Sequence, residues 1–160
     1  MNKAYLLIGG NLGHREENLS TAIKLIAVQC GQVSKTSSLY ETAAWGNTDQ
    51  PSFLNQALEI STSLNARQLL RRILKVEKEM GRIRKEKLGP RSIDIDILFF
   101  NNERYSLRFL QVPHPEIQNR RFALVPLAEI APDLIHPVLK KSIPQLLHEC
   151  PDKLRVKKYP

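Results

Sequence analysis

Cysteine is scarce in this sequence, which has only Cys30 and Cys150, far apart in the chain. Their spacing excludes a zinc knuckle, a redox pair or a disulfide framework, so we expect a protein of a reducing compartment. The chain also lacks any apolar run near the roughly 20 residues of a membrane-spanning helix. The apolar stretch at its start is too short for the core of a signal peptide. We therefore expect a cytoplasmic protein that does not contact a membrane.

Acidic residues are in the minority, with 16 Asp and Glu against 24 Lys and Arg, for a formal net charge of +8. Between Arg71 and Arg91 nine basic residues accompany only three acidic ones. A basic chain favours anionic partners, which at this point include nucleic acid, a membrane surface and a small phosphorylated substrate. The length of 160 residues with 42% hydrophobic residues predicts a single domain over residues 1–160.

The hydrophobic pattern predicts strands and helices in the order βαββαβ. An apolar run at 4–8 closed by two glycines is typical of a buried strand, and apolar residues at helical spacing over 19–27 predict a helix. We therefore expect an α+β fold with a ferredoxin-like core, an antiparallel sheet, helices packed on one face of it, and active-site loops. The other predicted elements are strands at 33–42, 53–62 and 93–100 (the last a central strand), a helix from Asn65 to near Gly81 that begins with a capping box, an edge pair within 103–112, and short helices at 122–130 and 143–148.

Two carboxylates, Asp94 and Asp96, interrupt a strand that otherwise consists of core residues. Alternation places them on one face, opposite Ile93, Ile95 and Ile97, with their α-carbons about 6 to 7 Å apart. Carboxylate oxygens are suitable ligands for magnesium, which completes its shell with waters and substrate phosphates. An isolated Asp-x-Asp pair is more often part of a solvated sheet face. Here a polyphosphate would explain both the carboxylates and the basic stretch before them.

The segment from Lys87 to Leu98 has the pattern basic-x-Gly-Pro-Arg-x-x-Asp-aliphatic-Asp-aliphatic-aliphatic. This pattern resembles the signature of the 6-hydroxymethyl-7,8-dihydropterin pyrophosphokinases. Further segments similar to this family occur at 8–13, 40–42, 50–55, 77–84 and 112–127. The resemblance implies transfer of pyrophosphate from ATP to 6-hydroxymethyl-7,8-dihydropterin in folate biosynthesis. It also implies a monomer that uses ATP as co-substrate and two magnesium ions.

The resemblance also implies roles for individual residues. Asp94 and Asp96 would hold the magnesium ions and would be catalytic together with Arg82 and Arg91. The residues expected to bind ATP are Arg82, Arg84, Arg91, Ile97, His114 and Arg120. The residues expected to bind the pterin are Thr42, Ala43, Trp45, Phe53, Asn55 and Phe122, with the two phenylalanine rings enclosing the heterocycle and Asn55 bonding its amide edge.

Other functions for this chain are less consistent with its sequence. A nucleic-acid-binding module would suit the charge, but the sequence has no glycine-rich strand with alternating aromatics, and paired aspartates would repel phosphate without a metal. A metal-dependent nuclease would use the aspartates yet leave Asn55 and the aromatic set unexplained. We expect no nucleic-acid partner. For Glu77, on the predicted second helix, a partly buried residue that supports a basic neighbour and a plain surface glutamate both remain open.

Overall fold

The computed structural model describes residues 1–43, 50–81 and 92–160. In chain order the elements are β1 (Asn2–Gly10), α1 (Arg15–Gln29), β2 (Gln32–Thr36), β3 (Tyr40–Thr42), β4 (Phe53–Thr62), α2 (Ala66–Glu79), β5 (Asp94–Phe100), β6 (Tyr105–Ser106), β7 (Gln111–Val112), a 3₁₀ turn (Ile117–Asn119), α3 (Arg121–Ile130), α4 (Ile143–Glu149) and β8 (Val156–Lys158). None of the helices in these ranges is both long and apolar enough to cross a lipid bilayer.

The main sheet is antiparallel, with the strand order β5-β1-β4-β3-β8 and with β2 also paired to β4. The elements β1, α1, β2, β4, α2 and β5 reproduce the βαββαβ order, which confirms the predicted ferredoxin-like core. The prediction of a central strand at 93–100 is wrong, because β5 lies at one edge of the sheet. The strand has the apolar pattern of a central strand because helices cover both of its faces. Within the described residues it pairs with only one neighbouring strand, β1.

The predicted strand at 33–42 is divided into β2 and β3, which pair with successive parts of β4. Ser37 bridges the interruption: its main-chain N–H donates to the carbonyl of Ala57 at 2.9 Å, and its Oγ accepts the N–H of Ala57 at 2.9 Å. The side chain thus replaces a main-chain acceptor where the ladder is interrupted. The predicted edge pair at 103–112 forms as β6 and β7, which pair with each other outside the main sheet.

Helices cover both faces of the sheet, so the expectation that they pack on one face is wrong. Leu6 and Ile8 of β1 lie in a core with α1 and α2, whereas Tyr5 and Leu7 lie in a second core with α3 and α4. Successive residues of a strand point to opposite faces, and a strand that is apolar at every position must be covered on both. The uninterrupted apolar run of β1 was the signal for this second layer.

The second helix begins as predicted. Asn65 Oδ1 accepts the N–H of Gln68 at 2.9 Å, and Gln68 Oε1 accepts the N–H of Asn65 at 2.9 Å, which completes a capping box. The buried stripe of α2 includes Leu69, Ile73 and Val76, and it also includes Glu77. A carboxylate therefore lies within an apolar interface next to β5.

Candidate active site

Asp94 and Asp96 occupy alternate positions on β5 and are both half-buried. Ile93, Ile95 and Ile97 are packed into the α1 and α2 core on the other face. The predicted alternation is confirmed, and the aspartates lie on the face that α3 and α4 partly cover. Two carboxylates on the same face of one strand can converge on a hard cation.

Glu77 fixes the strand between the two aspartates. Its side chain is 3% exposed, and Oε2 accepts the main-chain N–H of Ile95 at 2.8 Å. The interpretation of Glu77 as a plain surface glutamate is wrong. A charge-assisted hydrogen bond to a carboxylate is stronger than a neutral one. The outer edge of β5 is therefore held in place next to the positions of Asp94 and Asp96.

Asp94 and Asn55 lie on the same face of the sheet because both pair with Gly9, one from each side. Asp94 pairs with Gly9 on β1, and Gly9 pairs with Asn55 on β4. Residues that lie opposite each other in an antiparallel sheet project to the same face, and strands are about 4.8 Å apart. Because Gly9 has no side chain, Asn55 Oδ1 lies 2.0 Å from where a Cβ of residue 9 would be. The asparagine amide therefore lies over β1, between its own strand and Asp94.

Two other predicted pterin residues, Thr42 and Phe53, lie near Asn55 on β3 and β4. Thr42 pairs with Phe53 across β3 and β4, two positions along from the pairing of Tyr40 with Asn55 and on the same face of the sheet. Thr42 is 4% exposed, and its buried Oγ1 has no hydrogen-bond partner among the described residues. Ala43 is exposed after the end of β3. A buried hydroxyl without a partner is costly, so a bound ligand with a complementary polar group would be favoured here.

Phe122 and Arg120 are located at the start of α3, which packs against β4. The Phe122 ring is half-buried at the margin of the α3 and α4 core. The Arg120 guanidinium lies 5.7 Å from the centre of this ring. The structure therefore places one predicted nucleotide residue beside one predicted pterin residue at the start of α3, where an aromatic ring and a cation meet.

His114 is attached to β5 through its main chain and lies near Asp94 and Arg120. Its N–H donates to the carbonyl of Leu98 at 3.0 Å, and its Nδ1 accepts the N–H of Glu116 at 3.1 Å. Burial lowers the pKa of His114 to about 4, and the Arg120 charge acts in the same direction, against Glu116 and Asp94. The ring is neutral at pH 7. Since Nδ1 accepts a hydrogen bond, the proton is on Nε2, which can donate to an anionic ligand.

We expect His114 to stay neutral down to pH 5 in the protein without nucleotide or magnesium, because its folded-state pKa of about 4 lies below the ordinary 6.5. Between these values the unfolded chain binds more protons, so the contribution of this residue to stability is full above pH 6.5 and declines as the pH falls towards 4. Nitrogen-15 NMR of the ring, with the signal assigned by a His114→Gln variant, measures this. A titration midpoint near 6.5 would contradict the burial of the ring.

Several predicted site residues lie outside the described residues: Trp45, Arg82, Arg84 and Arg91. Their roles remain predictions. Ile97 is on β5, but its side chain is 7% exposed and packs into the core with α1 and α2, on the face opposite the aspartates. Its contact with ATP also remains a prediction.

Sequence reasoning did not single out two side chains that hold the chain near the pterin residues. Asn11, which is 2% exposed, donates from Nδ2 to the carbonyl of Pro51 at 3.0 Å and to Oε1 of Gln50 at 3.1 Å. Arg15 donates to the carbonyl of Ser52 at 2.9 Å. Asn11 directly follows β1 and Arg15 is the first residue of α1, and both are far in sequence from their partners. No local pattern identifies such contacts.

A group of three or more His, Cys, Asp and Glu side chains able to hold a metal is absent from residues 1–43, 50–81 and 92–160. Magnesium is commonly bound through one or two carboxylates together with waters and substrate phosphates. Asp94 and Asp96, with their oxygen ligands on one face of β5, fit this kind of site.

A ferredoxin-like sheet that carries paired carboxylates, a neutral histidine and an arginine near one another has the groups required for metal-assisted transfer of a phosphate-containing group. The model of the 7,8-dihydro-6-hydroxymethylpterin-pyrophosphokinase (HPPK) family matches residues 5–132 of this chain. The chain belongs to this family, as its sequence motifs predicted.

Two relatives support this assignment over most of their length. A 2-amino-4-hydroxy-6-hydroxymethyldihydropteridine pyrophosphokinase from Aquifex aeolicus is 42% identical over 149 residues, which cover 93% of this chain and 92% of the relative. A protein of the same name from Bacillus subtilis is 47% identical over 130 residues, which cover 81% and 78% of the two chains.

Solved structures with the same fold include Plasmodium falciparum HPPK-DHPS. The wild-type protein with STZ-DHP has a TM-score of 0.74 and 20% sequence identity to this chain, and the match covers 92% of this chain and 43% of that one. The A437G variant gives a TM-score of 0.75 at 20% identity, with 92% and 45% covered. This chain spans less than half of those proteins, and the likeness concerns the fold. It agrees with the predicted α+β architecture.

Proposed function

We propose that this chain transfers the pyrophosphoryl group of ATP to the hydroxymethyl oxygen of 6-hydroxymethyl-7,8-dihydropterin, giving AMP and the pterin pyrophosphate ester in folate biosynthesis. Family membership supports the reaction, and one observation supports its location. Asp94, Gly9 and Asn55 pair in one row across the sheet. The α-carbons of Asp94 and Asn55 are therefore about 10 Å apart, two strand spacings, and the Asn55 amide extends over Gly9 towards Asp94, which is suitable for a pterin whose hydroxymethyl arm points towards the aspartates.

The pterin would bind over the β3 and β4 end of this row. Asn55 offers both donors and an acceptor to the amide edge of the ring, and the Thr42 hydroxyl would gain the partner that the described residues do not provide. Phe53 and Phe122 supply aromatic surface for the flat ring. Each of these groups distinguishes the heterocycle from the nucleotide, so they would determine which alcohol reacts.

The nucleotide phosphates would bind over the β5 end. Asp94 and Asp96 would hold two magnesium ions, which when bound neutralise phosphate charge and orient the phosphate chain. Nε2–H of His114 and the Arg120 guanidinium would donate to phosphate or nucleotide oxygens. Arg82, Arg84, Arg91 and Ile97 are proposed to complete the nucleotide site.

In the reaction the hydroxymethyl oxygen bonds to the β-phosphorus and gives up its proton to solvent, the bond from that phosphorus to the oxygen bridging the α- and β-phosphates breaks, and AMP leaves with that oxygen. The residues named above contribute by orientation and by stabilising negative charge as it shifts towards AMP. We assign no general base. We also propose that the chain acts as a single domain, as a monomer, and in the cytoplasm.

Analysis of the nucleotide product tests this function directly. The protein is incubated with ATP, magnesium and 6-hydroxymethyl-7,8-dihydropterin, and the products are separated by chromatography. AMP should form in equal amounts with the pterin pyrophosphate ester and only when the pterin is present. ADP as the product would indicate transfer of a single phosphoryl group, and AMP formed without pterin would indicate simple hydrolysis.

Replacing Asn55 or Phe122 with alanine should weaken binding of a pterin analogue by about tenfold while changing the affinity for an ATP analogue by less than about twofold. The reason is that the amide and the ring contact the heterocycle and not the nucleotide. Titration calorimetry with each ligand measures the difference. Asn102→Ala, on the exposed turn after β5, is the control. Equal losses for both ligands would indicate a general packing defect.

A further inference from the structure

Arg15, the first residue of α1, connects three separate parts of the chain. Its Nη1 lies 2.7 Å from Oε2 of Glu41 on β3 and donates to the carbonyl of Ser52 at 2.9 Å. The guanidinium also lies 5.6 Å from the centre of the Tyr159 ring. The Arg15 side chain is 23% exposed and that of Glu41 is 33% exposed, so this ion pair is partly shielded from water.

The partners of Arg15 are adjacent to the proposed pterin residues. Glu41 precedes Thr42, and Ser52 precedes Phe53. Glu41 pairs with Leu54, which lies in the core with α1 and α2, so the Glu41 side chain is on that face. Alternation puts Thr42 and Phe53 on the opposite face. Arg15 thus binds the ends of β3 and β4 from behind the surface on which the pterin would rest.

Tyr159 covers this ion pair from the C-terminal end of the chain. Its main-chain N–H donates to the carbonyl of Leu39 at 2.8 Å, just after β8 pairs with β3. A hydrogen bond with Glu16 raises the pKa of its hydroxyl. The C-terminal segment therefore holds the Arg15 guanidinium against β3 from one side, while α1 fixes it from the other.

We propose that Arg15 is a positioning residue for the pterin: it sets the separation of the ends of β3 and β4, and thereby the placement of Thr42 and Phe53 around the heterocycle. This inference rests on the proposed function. A guanidinium is suited to the task because its planar group holds N–H donors in fixed directions, so that Nη1 alone bonds both a carboxylate and a carbonyl, whereas a lysine ammonium acts as a point charge. Among the residues that the structure describes, none of those proposed to bind the nucleotide contacts Arg15.

The test compares Arg15→Ala and Arg15→Lys with Arg72→Ala, whose Nη1 likewise donates to a carbonyl, that of Gln29 at the other end of α1, at 3.1 Å. Calorimetry measures the dissociation constants of a non-hydrolysable ATP analogue and then of 6-hydroxymethylpterin in its presence. Arg15→Ala should weaken pterin binding by about tenfold and nucleotide binding by less than about twofold. Arg15→Lys should lie between Arg15→Ala and wild type, and Arg72→Ala should match wild type.

Several outcomes would overturn this role for Arg15. They are wild-type pterin affinity in Arg15→Ala, equal losses for both ligands, or the same loss in Arg72→Ala. If Arg15→Ala does not fold, Glu41→Gln replaces it, with a smaller selective loss of pterin affinity expected and an unchanged affinity counting against the proposal. Failure of the wild-type protein to form AMP would instead refute the proposed function. The product assay detects that failure independently of the binding measurements on the Arg15 variants.

Discussion

Asp94→Ala and Asp96→Ala should each lower kcat by about a thousandfold or more while leaving the fold intact, since each variant removes a group that stabilises charge in the transition state. Both side chains are half-buried at the surface of β5 and contribute little to the two cores. The expected loss of unfolding free energy is therefore below about 1 kcal/mol. Initial rates of AMP formation at saturating ATP, together with thermal unfolding, measure the two effects.

The aspartate variants have two useful controls. Asp94→Asn preserves the shape of the side chain and removes its charge, so activity similar to that of the alanine variant would assign the effect to charge. Asp133→Ala removes an exposed carboxylate in the connection after α3 and should leave turnover unchanged. Turnover near that of the wild type in either alanine variant would contradict the metal assignment.

Gly9→Ala should reduce pterin affinity about a hundredfold, because the new methyl group would occupy the space of the Asn55 amide. A Cβ at residue 9 would lie 2.0 Å from Asn55 Oδ1 and 3.1 Å from the carbonyl of Leu54. The amide must leave its position, and overpacking of this kind costs about 1 to 3 kcal/mol of stability. Affinity for the ATP analogue should change much less. Calorimetry and chemical denaturation provide both measurements.

The double variant Gly9→Ala with Asn55→Ala separates the clash from other effects. In the double variant the Asn55 amide no longer occupies the space that the methyl group of residue 9 needs. The second substitution should therefore recover part of the stability lost in Gly9→Ala. The expected coupling between the two sites is about 1 kcal/mol or more. Purely additive losses would show that the contact with the Leu54 carbonyl, and not the Asn55 amide, makes this position intolerant.

The sequence predicted those features that depend on neighbouring residues. The capping box at Asn65, the β1 run and the alternation of Asp94 and Asp96 each follow from local hydrogen bonding or from strand geometry. The placement of α3 and α4 on the second face was not predictable in this way, since an apolar helix does not specify which apolar surface it will cover. The edge position of β5 was not predictable either, because helices bury both faces of this strand and give it the apolar pattern of a central strand.

Long-range polar contacts account for the rest of what the sequence did not predict. The carboxylate of Glu77 bonds the main chain of β5, and the guanidinium of Arg15 bonds Glu41 and Ser52. In each case the residue type alone suggests an exposed charge, and its true environment depends on elements that meet only in the folded protein. The helical position of Glu77, directly after Val76 in a buried stripe, was the one available indication.

The outer edge of β5 is also a place where another molecule could add a strand, because an edge strand presents main-chain groups that no neighbouring strand pairs. Glu77 occupies the N–H of Ile95, and the N–H of His114 occupies the carbonyl of Leu98. An incoming chain would have to break both hydrogen bonds and would leave the buried Glu77 carboxylate without the N–H of Ile95. The contacts that hold the aspartate strand rigid therefore also protect one of the most apolar segments of this protein against aggregation at high concentration.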